Sequence, residues 1–193
     1  MIITLASASP RRRDLLRQLG LPFRVARIPW RETFPALPPD DAARWLAWRK
    51  AEAARRRIRR GLIITGDTLV ALGPRLLGKP RSPAAARAML WRLSGRTHRV
   101  ITALVVMEAR TGIAVLGSET SHVTFRRLPA ATIAAYVATG ETRDKAGAYA
   151  IQGKGRALVA RFRGDYTNIV GLPLTLLTTL LNRSGVRTGR ATA

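Results

Sequence analysis

LIITGDTLVAL, residues 62–72, is an apolar, β-branched run that meets a glycine and an aspartate and then continues extended. It reads as a buried strand with a carboxylate, Asp67, where the buried part ends. Ligands gather at such points in α/β sheets, outside the ends of strands. Twelve residues on, Lys79 stands between Gly78 and Pro80 on a loop, and Lys50 lies on the preceding helical stretch.

The flanking segments alternate between helix and strand signals. IITLAS, residues 2–7, reads as a first strand, after which Ser9 caps and Pro10 starts a helix over 10–19 that stops at Gly20. FRVARI (23–28) alternates as a second strand, and a proline-rich loop follows. Asp40 or Asp41 is expected to cap a helix over 41–59, with Glu52 and Arg56 as its charge pair. Ser82, Pro83 and Gly95 bound a third helix. Extended stretches over 98–108 and 113–126, joined by EARTG, precede a short helix in PAATIAAYVATG, a glycine-punctuated loop in KAGAYAIQGKG, a strand in RALVARFRG and a closing helix in PLTLLTTLLN. The pattern predicts one mixed α/β domain over 1–183 and a disordered basic tail over 184–193.

Composition excludes several chemistries. There is no cysteine and only His98 and His122, so thiolate catalysis, disulfides and histidine-rich metal cages are absent. A required metal should be a hard divalent cation held by carboxylates and phosphates. No apolar run is long enough to span a bilayer, and the first residues lack a signal-peptide pattern, so a soluble cytoplasmic protein is expected, without a membrane partner. The formal charge of +23 comes from 34 basic and 11 acidic residues. Such a surface attracts polyanions, non-specific nucleic acid included. All but four of these basic residues are arginines, however, which points to a coding bias and weakens charge as evidence of function. The lysines, Lys50, Lys79, Lys145 and Lys154, are therefore the informative cations. Lys154 reads as surface, and Lys145 stays open between structure and site.

Acidic residues are few enough to weigh singly. Asp14 suits a first helical turn, and Glu108, Glu119 and Glu141 read as solvated edges, leaving Glu32, Asp67, Asp144 and Asp165. A carboxylate, a second acid, two lysines and an arginine-bearing helix start suit the hydrolysis of a phosphoanhydride. Cations and helix N–H groups neutralise phosphate oxygens, while a carboxylate holds a cation or takes a proton from water. Neither GxGxxG nor GxxxxGK[ST] occurs.

Seven segments, SASPRRRDLL, GDTLVAL, LGKP, LSGRTHRVIT, VTFRRL, DKAGAYAIQGKG and GDYTNIVGLPL, follow one another in an order and spacing that resemble the Maf family of nucleoside triphosphate pyrophosphatases, from about residue 3 to residue 182. The resemblance implies an elongated α/β fold similar to the inosine triphosphate pyrophosphatases, a mixed sheet with flanking helices and two lobes around a cleft, commonly in a homodimer. It also implies cleavage of a nucleoside triphosphate to monophosphate and pyrophosphate with a divalent cation, Mg2+ or Mn2+. By position it makes Asp67 the general base and a metal ligand, Glu32 a metal ligand, and Ser7, Arg11, Arg12, Lys50 and Lys79 substrate-binding. Arg11, Thr68 and Gln152 fall at the positions that set base preference, and Thr68 with DKAGAYAIQG is similar to the dTTP/UTP branch. A 7-methyl-GTP specificity and an arginine-rich nucleic-acid-binding protein are the rival readings. Gly66 replaces the alanine usual before the family's aspartate, a change expected to matter little.

Overall fold

In the computed structural model, which describes residues 2–29, 33 and 35–187, LIITGDTLVAL is one unbroken strand, β3 (Leu62–Leu72). The sheet has seven strands. β1 (Ile3–Leu5) runs parallel to β3 and to β2 (Arg24–Val25), while β5 (Thr97–Glu108), β6 (Ala114–Phe125) and β7 (Val159–Arg163) follow β3 in antiparallel order. The short β4 (Arg75–Leu77) folds back on the end of β3.

The two edges of β3 differ. β5 pairs with it from Leu62 to Ala71. On the other edge β1 pairs with 62–64 and β4 with 70–72, so residues 65–69 face no strand there among the described residues. The strand therefore does not end at Asp67; its neighbour β1 ends opposite Ile64, three residues before it. β1 stops because Ser7 to Pro10 turn into α1 (Pro10–Arg17), whose cap is the Ser9 hydroxyl accepting from the Arg12 N–H.

Strand alternation sorts β3 onto two faces. Odd positions face α2 (Pro39–Arg55), in a core with Leu69, Ala71, Ile101, Ala103, Val105 and the α2 alanines. Even positions face the larger core, where Leu62, Ile64 and Val70 meet residues from α1, α3 (Pro83–Leu93), α4 (Ala130–Ala138), α5 (Tyr166–Val170) and α6 (Leu174–Arg183). Helices thus flank a mixed sheet, as expected from the sequence.

Several local expectations need correction. α2 starts at Pro39 and stops at Arg55, and neither Asp40 nor Asp41 caps it. Asp40 instead accepts from Arg99 Nη1 at 2.7 Å, a charge-assisted bond that outweighs a backbone cap. Glu52 pairs with Arg49 rather than Arg56, and Asp14 lies one turn inside α1 beside Arg17. α5 has no counterpart among the sequence signals, because five residues carry too little periodicity. The stretch expected to be tail packs as far as Val186, which is buried in the main core; residues 188–193 lie outside the described residues.

Gly66 has a steric reason. A Cβ there would stand 2.6 Å from Leu104 Cδ2 and 3.0 Å from the Ala103 carbonyl oxygen. Gly66→Ala should cost about 1–3 kcal/mol through overpacking, read as a lower urea midpoint, and Leu104→Val should restore part of it.

Buried His98 meets Phe125 and Tyr149 edge-on and shares a 2.7 Å hydrogen bond between its Nε2 and the Tyr149 hydroxyl. Burial lowers its pKa to about 4. The unfolded chain then binds this proton first, so the stability is complete above about pH 6.5 and is lost as pH falls through about 4. The loss should be roughly 3 kcal/mol. Urea melts between pH 7 and 4 should show it, and His98→Phe should remove most of this slope.

Candidate active site

The gap on β3 opens into a cleft of about 580 Å³ lined by Ser7, Arg11, Arg12, Lys50, Asp67, Thr68 and Lys79, all expected from the sequence. Two residues, one on each side of the sheet, close the gap chemically. Ile64 O accepts from Ala6 N–H, so Gly66 O, two residues on, points to the same edge but has no strand partner there. Arg12 Nη1 donates to it at 2.8 Å. The Thr68 N–H donates to Asp67 Oδ1 at 2.9 Å. Two of the backbone groups that face the gap, Gly66 O and the Thr68 N–H, are thus taken by side chains that sit in the cleft.

Asp67 faces α2 and is only 6% exposed. Lys50 Nζ donates to its Oδ2 at 3.0 Å. Their meeting is set two residues earlier, where the buried Thr65 hydroxyl donates to the Ala47 carbonyl of α2 at 2.9 Å. From that pin, three residues along the helix and two along the strand bring Lys50 and Asp67 together.

Thr68 projects to the opposite face. Its hydroxyl takes a bond from Arg12 Nη2 at 2.9 Å and lies 3.0 Å from that of Thr102, which in turn donates to Asn168 O. Buried Asn168 donates from Nδ2 to Val100 O and to Ser121 Oγ. Arg12 Nε donates to Gly171 O at 2.7 Å, just beyond α5. Arg12 therefore joins α1, β3 and the end of α5. The arginine expected to face substrate is held by the protein's own acceptors, as is the Thr68 hydroxyl.

The segment DKAGAYAIQG contributes more than the sequence reading assigned to it. Asp144, Lys145, Tyr149 and Ile151 line the cleft, whereas Gln152 is exposed and outside the lining. Burial lowers the Lys145 pKa first, and the nearby Arg11 guanidinium lowers it further, against the pull of Glu141 and Asp144. Two cations crowd the same space, an arrangement that a bound anion relieves. Asp165 is no site acid: its Oδ1 caps α5 by accepting from the N–H groups of Thr167 and Asn168. Lys154 is exposed, as read. Glu32 lies outside the described residues.

A family model described as "Maf-like protein" matches residues 2–184. The chain belongs to the Maf family. Among its Maf relatives, a protein of Moorella thermoacetica named dTTP/UTP pyrophosphatase is 50% identical over 186 residues, covering 95% of both chains. One of the same name from Pelotomaculum thermopropionicum is 45% identical over 184 residues, 95% of this Maf chain and 96% of the other. A solved dITP/XTP pyrophosphatase from Mycobacterium abscessus overlays with a TM-score of 0.47 at 16% identity, over 96% of this chain and 98% of that one.

The Arg12 network predicts a stability contrast within this Maf chain. Arg12→Ala leaves Gly66 O and Gly171 O without their donor and should cost about 2–4 kcal/mol, whereas exposed Arg13→Ala should stay within about 0.5 kcal/mol. Thermal melts of the two variants measure how much Arg12 contributes as a brace.

Proposed function

We propose that this Maf protein hydrolyses nucleoside triphosphates between the α and β phosphates, releasing monophosphate and pyrophosphate, with dTTP and UTP preferred. The observation that carries the proposal is the buried Asp67 carboxylate, held between Lys50 and the Thr68 N–H at the floor of a cleft lined by Arg11, Lys79 and Lys145. The names of the relatives support the choice of bases.

Each Asp67 oxygen carries one donated hydrogen bond and keeps a further lone pair. The carboxylate takes the proton of the attacking water as that water's oxygen bonds to phosphorus and the anhydride oxygen leaves with pyrophosphate. Lys50 keeps Asp67 oriented. Arg11, Lys79 and Lys145 neutralise phosphate oxygens beside the start of α1, where Ser7 and Ser9 add hydroxyls. Base selection falls to Arg11 and to the wall formed by Thr68, Tyr149 and Ile151.

A divalent cation fits this donor set. The described cleft offers two carboxylates, Asp67 and Asp144, and no histidine, which suits a hard ion that takes its remaining ligands from phosphates and water. No group of three or more acidic, histidine or cysteine side chains among the described residues could cage a metal without substrate. When bound, Mg2+ or Mn2+ would be held by Asp67 and the substrate, and would supply charge neutralisation on the phosphates. A homodimer, which rests on the resemblance, and a cytoplasmic setting, which rests on the sequence pattern, belong to the same proposal; no helix among the described residues is long and apolar enough to cross a membrane.

With Mg2+ and dTTP, pyrophosphate should appear in equal amount to dTMP, and Asp67→Asn should lower kcat by about 10²–10⁴. Lys79→Arg keeps the charge but spreads the donors, and should clearly reduce turnover; unchanged kinetics would make Lys79 a solvated loop residue. If kcat/KM for 7-methyl-GTP exceeds that for dTTP by about tenfold, or about 1.4 kcal/mol, the base assignment fails. Salt-sensitive RNA binding without turnover would favour the nucleic-acid-binding reading.

A further inference from the structure

The far end of α2 and the turn between β5 and β6 enclose a second concavity of about 560 Å³, which shares no lining residue with the cleft. Trp48, Glu52 and Arg55 on α2, with its C-cap Arg56, stand at offsets of four, seven and eight residues, which puts them on one helical face. Lys50 follows Trp48 by two residues and is turned about 200° away. One helix therefore serves the cleft with one side and this concavity with another.

The floor is apolar, made by the buried Met107 and Ala109, and the wall is the half-exposed Trp48 indole. Arg55, Arg56, Arg59 and Arg110 surround it. Arg55 is fixed in place, donating from Nε to Ala109 O and from Nη2 to Arg110 O at 3.1 Å each. Its guanidinium passes over Gly112 (φ 81), where any Cβ would stand 2.9 Å from Cζ. The heads of Arg56 and Arg59 meet no acceptor among the described residues. Glu52, the one carboxylate of the lining, is paired with Arg49.

In an arginine-rich chain, guanidiniums at a helix C-terminus are ordinarily solvated and gain from the helix dipole. That dipole end is equivalent to about −0.5 of a charge, less than one of the four cations. Three features set this group apart: the concavity, the pinned Arg55 and the indole wall. Guanidiniums match phosphate bidentately, and an indole face stacks on a base.

We propose that this concavity binds a nucleotide unit, its base against Trp48 and its phosphate across Arg55, Arg56 and Arg59. The unit comes either from a free mononucleotide or from single-stranded nucleic acid.

The test titrates the intact protein, without added metal, with dTMP, with an oligothymidylate of about ten nucleotides and with inorganic pyrophosphate. Tryptophan fluorescence and calorimetry are followed at low and moderate salt. Wild type is compared with Trp48→Phe and with Arg56→Ser/Arg59→Ser, whose replaced side chains are exposed and outside the cleft. The expected result is a fluorescence change that Trp48→Phe abolishes and an affinity that the double arginine variant lowers by about tenfold or more. Its melting temperature and its kcat/KM for dTTP should remain those of wild type.

If dTMP alone produces this, the source is the free nucleotide. If the oligonucleotide binds far more tightly, with a steep salt dependence, the source is a strand. Unchanged affinity for both in the double variant overturns the proposal, as does pyrophosphate binding equally well with no Trp48 signal. Because these are binding readouts, failure here leaves the proposed hydrolysis standing, and loss of hydrolysis leaves this site standing.

Discussion

A strand paired along the whole of one edge and only at the two ends of the other leaves backbone groups facing a gap, and the active-site geometry follows from how those groups are satisfied. In β3 the gap spans 65–69. A backbone group left buried without a partner costs about 1–3 kcal/mol. Here the Gly66 carbonyl is taken by Arg12, and the Thr68 N–H is taken by the neighbouring Asp67. The carboxylate assigned to chemistry is thereby part of the backbone's own hydrogen bonding, which fixes its orientation before substrate arrives.

That constraint gives the two charged partners different jobs. Lys50 approaches from the α2 face, located by the Thr65 bond to Ala47 O, and orients Asp67. Arg12 approaches from the other face and ties α1, β3 and the chain after α5 into one unit. Charge alone does not separate these roles, since both residues are cations lining one cleft. The acceptors do: Lys50 meets a carboxylate, and the donors of Arg12 described here meet two carbonyls and a hydroxyl. Arg11 and Lys145, which crowd each other instead, are the cations suited to an incoming anion.

The high positive charge sorts in the same way. Most arginines lie on the surface, where charge tunes solubility and attracts polyanions without specifying a site. The arginines that carry structural meaning include those with fixed acceptors, among them Arg12 at the cleft, Arg55 at the far end of α2 and Arg99 beside Asp40, and those gathered around a concavity. α2 connects the two regions, with Lys50 toward one and Trp48 toward the other.

Much of this was legible in the sequence. Ser9-Pro10 and Ser82-Pro83 set helix starts because a hydroxyl cap and a proline at the first position act locally, and β-branched runs marked the long strands. Asp67, Lys50, Lys79 and Arg11 were singled out in the sequence through their motifs and their order, and all four line the cleft. What depended on non-local pairing was not. No local pattern says that β1 and β4 share one edge of β3, that Arg12 turns onto Gly66 and Gly171, that Asp165 caps a five-residue helix, or that Tyr149 and Ile151 face the cleft while Gln152 faces water. The sequence by itself determined the order of the longer elements, the membership of the family and the chemical types in the cleft. Only the tertiary structure decided which of those groups are committed to the protein's own backbone, because that depends on which acceptors the fold leaves unpaired.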